Sequence, residues 1–287
     1  MERVKLFIEL TRLKKPIGYM LLFWPCAWGL TLAYNFSTDI KTYLIYLILF
    51  FLGAVLMRSA GCIVNDILDR KFDEKVFRTK NRPIASKKIS VTLALFYSAI
   101  LCLVALLVLI NFNYLTIILA LASMPLAFSY PLMKRYTYWP QLFLGITFNY
   151  GLILGWTSIT NEMNLIPFIL YVGSIFWTLG YDTIYGFQDI NDDEVIGLKS
   201  TSIKFKKNPL IFLNFSYLIF VISIFLIGIL AELNYLSMIF FILIIYYLYY
   251  IQLANLNFKS PKNCFKIFKS NNLLGFIVYI GLLVGKI

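Results

Sequence analysis

Nine apolar runs, most of them about as long as a bilayer is thick, leave this chain few folds to choose from. They are Ile17–Tyr34, Tyr43–Val64, Val91–Ile110, Tyr114–Met133, Trp139–Ile159, Pro167–Gly186, Pro209–Leu230, Tyr235–Leu253 and Asn271–Val284. A spanning helix needs roughly 20 predominantly apolar residues. Backbone groups in hydrocarbon must bond within their own segment, so such runs are expected to be helices. Only 14% of the residues are charged, against about 25% in a soluble domain. The expectation is an all-α membrane protein of nine transmembrane helices, one domain over residues 1–287. The basic start, Met1 to Lys15, leads into the first run without a small-residue cleavage site, so no cleavable signal is expected.

Charge fixes the expected orientation. Twenty-three of the 26 Lys and Arg residues lie before the first run or in alternate connections: 70–88, 134–135, 199–207 and 259–269. The opposite connections hold Lys41 alone. The positive-inside bias therefore puts the N-terminus and the long loops in the cytoplasm, and nine spans put the C-terminus on the other side. The net charge of +12 is accounted for by topology, and nucleic-acid binding is not expected. Histidine is absent, which excludes imidazole bases and His-ligated zinc or haem. Cys26, Cys62, Cys102 and Cys264 are widely spaced and read as buried small hydrophobes rather than a disulfide or metal site.

Nine of the fourteen acids fall in two places. Asn65 and Asp66, Asp69 and Asp73 close the second run, and Asp182, Tyr185, Asp189 and Asp193 close the sixth. At 100° per residue each aspartate set shares one helical face. Stacked carboxylates repel one another unless a cation lies between them. Hard oxygen ligands suit Mg²⁺, which prefers one or two carboxylates together with waters and substrate phosphates. The basic residues alongside, Arg70 to Lys88, suit a polyphosphate. Asp192 and Glu194 read as solvated loop charges. Arg58, two turns deeper than Asp66, needs an anionic partner: a carboxylate of the other cluster or an anionic co-substrate. Lys134, Arg135 and Lys199 are expected beside the same cavity, although interfacial anchoring would account for any one of them.

These residues resemble a family. Asn65-Asp66-x-x-Asp69-x-x-x-Asp73 and Asp182-x-x-Tyr185-Gly186-x-x-Asp189-x-x-x-Asp193 are similar to the two aspartate-rich motifs of the UbiA superfamily of intramembrane prenyltransferases. Within it the chain looks most like the 4-hydroxybenzoate polyprenyltransferases of ubiquinone biosynthesis. Lys15-Pro-Ile-Gly18, Leu56-Met-Arg-Ser-Ala-Gly-Cys62, Arg78-Thr-Lys-Asn-Arg-Pro83 and Tyr130-Pro-Leu-Met-Lys-Arg-Tyr-Thr137 carry the resemblance further. Departures are Lys14, where an acid is common, and Gly186 in place of the usual Ala, a change expected only to loosen packing.

The resemblance implies nine helices bundled around a central, lipid-accessible cavity with a cytoplasmic cap, in a bacterial inner membrane. It implies Mg²⁺-dependent transfer of a polyprenyl chain from its diphosphate to the ring carbon ortho to the phenol of 4-hydroxybenzoate. Asp66, Asp69, Asp73, Asp189 and Asp193 would hold the Mg²⁺-diphosphate. Asp182 would polarise the phenol with Tyr185 nearby, and Arg58 or Arg135 would hold the benzoate carboxylate. Asn65, Arg70, Lys134 and Lys199 would complete substrate binding. The alternatives are a sibling with another acceptor (haem, homogentisate or a chlorin) and, from a different class, a transporter, which should carry its acids near midplane.

Overall fold

Polar caps and prolines start most of the helices of this chain. The computed structural model describes residues 2–37 and 39–287. An N-terminal helix, α1 (Glu2–Thr11), precedes α2 (Ile17–Ala33) and the long α3 (Ile40–Asp73). Next come α4 (Val91–Leu109) and α5 (Tyr114–Ser129), which continues through a tight turn at Tyr130–Leu132 into the short α6 (Met133–Tyr136). The fifth run becomes two helices end to end, α7 (Pro140–Asn149) and α8 (Gly151–Thr160), followed by α9 (Leu165–Gly186). The last part holds the short α10 (Ile190–Val195) and α11 (Thr201–Lys204), then α12 (Pro209–Leu230) and α13 (Ser237–Tyr246). A π-helical stretch (Tyr247–Leu253) and α14 (Pro261–Lys286) end the chain. No strand occurs among the described residues. Asp39, Ser90, Asn113, Asn164 and Ser260 cap α3, α4, α5, α9 and α14 by accepting from backbone N–H groups of the first turn, which satisfies donors a helix otherwise leaves open.

Among the described residues, seven helices are long and apolar enough to cross a membrane: α3, α4, α5–α6, α7–α8, α9, α12 and α14. The first and eighth expected runs form apolar helices of 17 residues, Ile17–Ala33 and Ser237–Leu253. This is a multi-pass membrane protein. Apolar side chains on one side of α4 and of α12 are turned outward, with Leu103 63%, Leu107 63% and Ile211 71% exposed, as a lipid-facing surface requires.

Inside the bundle, α2 packs on α8 and α14, and α9 on α12 and α7. Lipid tails are as apolar as leucine, so close packing, rather than hydrophobic burial, joins such helices. The α2–α8 crossing is made by glycines. A Cβ on Gly29 would lie 2.0 Å from the Leu152 carbonyl oxygen, and one on Gly155 would lie 2.3 Å from that of Cys26. Indole donors reach two asparagines of α14, the partly buried Asn272 from Trp24 Nε1 at 2.9 Å and the buried Asn271 from Trp177 Nε1 at 2.9 Å.

The 34 residues of α3 span about 51 Å at 1.5 Å per residue, well beyond a hydrocarbon layer of about 30 Å. Its acidic turns carry the charges that a hydrocarbon layer would exclude. At that end the N-terminal segment, the 74–90 loop, the 130–139 corner and the 187–200 segment meet through ion pairs and hydrogen bonds.

Two expectations are corrected. Asp182, Asp189 and Asp193 do not share one helix face, because α9 ends at Gly186 and the chain resumes as α10 at Ile190. Nor does Gly186 loosen packing. A Cβ there would lie 2.3 Å from Ser202 Oγ, which donates to the Thr183 carbonyl at 2.7 Å. The missing methyl lets α11 seat against α9.

Candidate active site

A cavity of about 640 Å³ lies where the acidic end of α3 faces the end of α9 and the 187–200 segment. Eleven of the thirteen residues expected at the site line it: Arg58, Asn65, Asp66, Asp69, Asp73, Lys134, Asp182, Tyr185, Asp189, Asp193 and Lys199. The two sets, more than a hundred residues apart in sequence, share one space.

Arg70 and Arg135 line a separate small cleft with Leu68, Lys71 and Phe72. Arg70 follows Asp69 by 100° around α3, which turns it off the acidic stripe. Its guanidinium donates back to the Ile67 carbonyl at 2.9 Å. Arg135 donates to the Leu68 carbonyl at 2.6 Å, lies over the Phe72 ring and comes within 3.8 Å of Asp69 Oδ1, so it borders the site at Asp69 without lining the cavity.

Every aspartate of α3 has a cationic partner. Asp66 Oδ1 accepts from Arg12 Nη2 at 2.5 Å and from Arg82 Nη1 at 3.1 Å. The same Arg82 nitrogen reaches Asp73 Oδ2 at 2.8 Å. Lys134 Nζ meets Asp69 Oδ2 at 2.6 Å. Asp66, Asp69 and Asp73 are buried, at 2%, 1% and 6% exposure, and a buried carboxylate without such partners would be costly. On the other wall, Arg78 grips Asp189 with two nitrogens, Nε at 2.8 Å and Nη2 at 2.5 Å, and its guanidinium lies over the Tyr185 ring. Two parallel bonds of this kind fix direction as well as charge.

Asp193 makes no ion pair among the described residues. Burial, with Asp189 beside it, pushes its carboxyl up to about 6. Deeper in, Arg58 lies over the Phe148 ring, with Tyr130 and Asp182 lining the same space and no carboxylate oxygen within 4 Å of it among the described residues.

Sequence reading missed Arg12, Arg78 and Arg82 as individual partners of the aspartates. Arg78 and Arg82 stand in the basic tail that follows the acidic turns. Arg12 carried no signal, since it reaches Asp66 across 54 positions from a turn with φ of +56°.

The lining holds seven carboxylates (Glu9, Asp66, Asp69, Asp73, Asp182, Asp189 and Asp193) and seven cations (Arg12, Lys15, Arg58, Arg78, Arg82, Lys134 and Lys199). A chain of +12 thus keeps its cavity at charge balance. No three His, Cys, Asp or Glu side chains among the described residues converge tightly enough to hold a metal by themselves. The donors nevertheless suit Mg²⁺, which takes one or two carboxylates and completes its shell from water and phosphate. Asp69 Oδ1, buried with no hydrogen-bond partner and 3.8 Å from Arg135, is an acceptor of the kind such an ion would satisfy.

Helices built for a bilayer, with two facing groups of acids and arginines at one end of their cavity, define a polytopic membrane enzyme that handles charged substrate groups. The chain belongs to the UbiA prenyltransferase family, which matches residues 22–277, and is thus a transferase of prenyl groups.

Its relatives agree. A 4-hydroxybenzoate octaprenyltransferase of Psychromonas ingrahamii is 38% identical over 284 residues, covering 99% of this chain and 97% of that protein. A mitochondrial 4-hydroxybenzoate polyprenyltransferase of Drosophila pseudoobscura pseudoobscura is 38% identical over 286 residues, covering 99% of this chain and 71% of the relative. Among solved structures, a UbiA homologue from Aeropyrum pernix K1 superposes with a TM-score of 0.78 at 22% identity, over 93% of this chain and 98% of that one. A homologue from Archaeoglobus fulgidus, bound to GPP and Mg²⁺, superposes with a TM-score of 0.71 at 17% identity, over 97% of this chain and 99% of that one.

Proposed function

We propose that this enzyme transfers a polyprenyl chain from polyprenyl diphosphate to the ring carbon ortho to the phenol of 4-hydroxybenzoate, the membrane step of ubiquinone biosynthesis. The bundle would then be nine spans, counting the two 17-residue helices, with the cavity open laterally to lipid and capped toward the cytoplasm. The N-terminus would share that side, in a bacterial inner membrane, in keeping with the basic connections. The observation that carries the reading is the meeting of the two aspartate groups across one cavity, each already joined to arginine or lysine.

Asp66, Asp69 and Asp73 on one wall and Asp189 and Asp193 on the other would hold Mg²⁺. When bound, Mg²⁺ neutralises charge on a departing diphosphate. Arg12, Arg78, Arg82 and Lys134 exchange their carboxylates for phosphate oxygens, so the buried acids and the ligand compensate one another. Preorganised cations of this kind stabilise charge where it develops as the C–O bond breaks. The allylic cation left behind adds to the carbon ortho to the phenol oxygen. Asp182 accepts the phenol's hydrogen bond and raises the ring's electron density. Arg58, lying over Phe148 in the space that Asp182 also lines, takes the benzoate carboxylate. Loss of the ring proton to a carboxylate of the site or to water restores aromaticity.

The test is turnover by membranes carrying this enzyme, supplied with 4-hydroxybenzoate and a polyprenyl diphosphate of defined length. EDTA should abolish product and added Mg²⁺ restore it. Asp69→Asn should lower kcat at least about a hundredfold, the scale of losing one charge-stabilising contact, while the protein still inserts normally. Near-normal turnover by that variant would remove Asp69 from the mechanism. Product with homogentisate but none with 4-hydroxybenzoate would reassign the acceptor.

A further inference from the structure

The string Lys15-Pro-Ile-Gly18 has no part in the chemistry above, yet Gly18 lines the cavity beside Arg58. Its backbone does not demand glycine, since Gly197 alone of the described glycines has a positive φ. Space does. A Cβ on Gly18 would lie 2.8 Å from Arg58 Nε and 3.5 Å from Nη2. That Nε is buried and has no hydrogen-bond partner. The guanidinium is therefore bounded on two sides, by the Phe148 ring at 5.2 Å and by the bare Cα of Gly18.

We infer that Gly18 is a positioning residue that sets the Arg58 guanidinium on the cavity wall, and through it sets the preference for an acceptor bearing a carboxylate. This rests on the reading of Arg58 as the group that takes the carboxylate. A methyl at position 18 meets the movable end of a side chain, so the guanidinium yields before any helix does. Gly18 stands in the first turn of α2, where alanine is the better helix former. The variant Gly18→Ala thus folds and inserts while Arg58 moves, and a misplacement of about 1 Å at a substrate-orienting group costs up to about a hundredfold.

The experiment compares 4-hydroxybenzoate with its neutral methyl ester as acceptors in wild type, Gly18→Ala, Arg58→Ala and the double variant, all at matched membrane abundance. Gly18→Ala should raise the KM for the acid about tenfold, a difference of about 1.4 kcal/mol. It should leave the KM for the prenyl diphosphate and the kcat/KM for the ester near wild type. In the Arg58→Ala background the same substitution should add nothing, because the group it displaces is gone; a purely structural effect would persist. If Arg58→Ala moves the acid's KM and Gly18→Ala does not, the role of Gly18 is refuted and that of Arg58 stands. If Arg58→Ala leaves it unmoved, both fall. An effect of Gly18→Ala that survives in the double variant, or reaches ester and diphosphate equally, also refutes the inference.

Discussion

Asp193 shows how one residue can be poorly placed for folding and well placed for work. Its carboxyl, raised to about 6 from an ordinary value of 3.8, holds its proton more tightly folded than unfolded. The stability this lends is fully present below about pH 3.8 and lost as pH rises through about 6. At neutral pH the ionised group is therefore a liability until a cation reaches it. Asp193→Asn should raise the melting temperature of metal-free protein by on the order of a few degrees at pH 7, with the gain gone near pH 4, read by thermal melts in detergent. The same variant should bind Mg²⁺-pyrophosphate more weakly at pH 7. A lower melting temperature at pH 7 would mean that the charged carboxylate has a stabilising partner.

At the scale of elements, glycine separates two kinds of contact. At the α2–α8 seam the would-be Cβ of Gly29 meets backbone, the Leu152 carbonyl oxygen at 2.0 Å, and neither helix can give way cheaply. Gly29→Ala should cost about 1–3 kcal/mol or more, measured as a lower melting temperature or lost monodispersity. Gly61→Ala, with nothing within 4 Å, should be tolerated.

The helices themselves were legible in the sequence, because hydrophobic length is a property of the chain alone. So was the α3 acid stripe, whose phase holds through an unbroken helix. The stripe read across 182–193 was not sound, since periodicity carries on through positions 187–189 while the chain turns there. The seam was invisible for a related reason: which glycines touch depends on how two helices cross. Arg70, Lys134 and Arg135 looked equivalent in sequence, and only their contacts with α3 tell them apart: Lys134 reaches Asp69 at 2.6 Å, whereas Arg70 and Arg135 bond backbone carbonyls of α3.

At the scale of the whole molecule, the acidic end is tied by ion pairs that reach from residue 12 to residue 189, whereas the α2–α8 seam is tied by close packing. A ligand that takes over those ion pairs should protect the acidic end selectively. Mg²⁺ with pyrophosphate should slow hydrogen exchange in the 74–90 and 187–200 segments and raise the melting temperature, by about 2.7 kcal/mol of linkage at a hundred times Kd. Mg²⁺ alone or pyrophosphate alone should do much less. Equal protection by Mg²⁺ alone would show that the acids hold metal without phosphate.

That asymmetry follows from the equal numbers of acids and cations around the cavity. A space already neutral should reject a lone polyanion and a lone cation alike, since either leaves buried charge uncompensated, and admit the two when they arrive together. On the proposed function the enzyme would then behave as a coincidence detector. Its occupancy would follow the joint availability of divalent ion and diphosphate lipid, and an excess of one would not stand in for scarcity of the other.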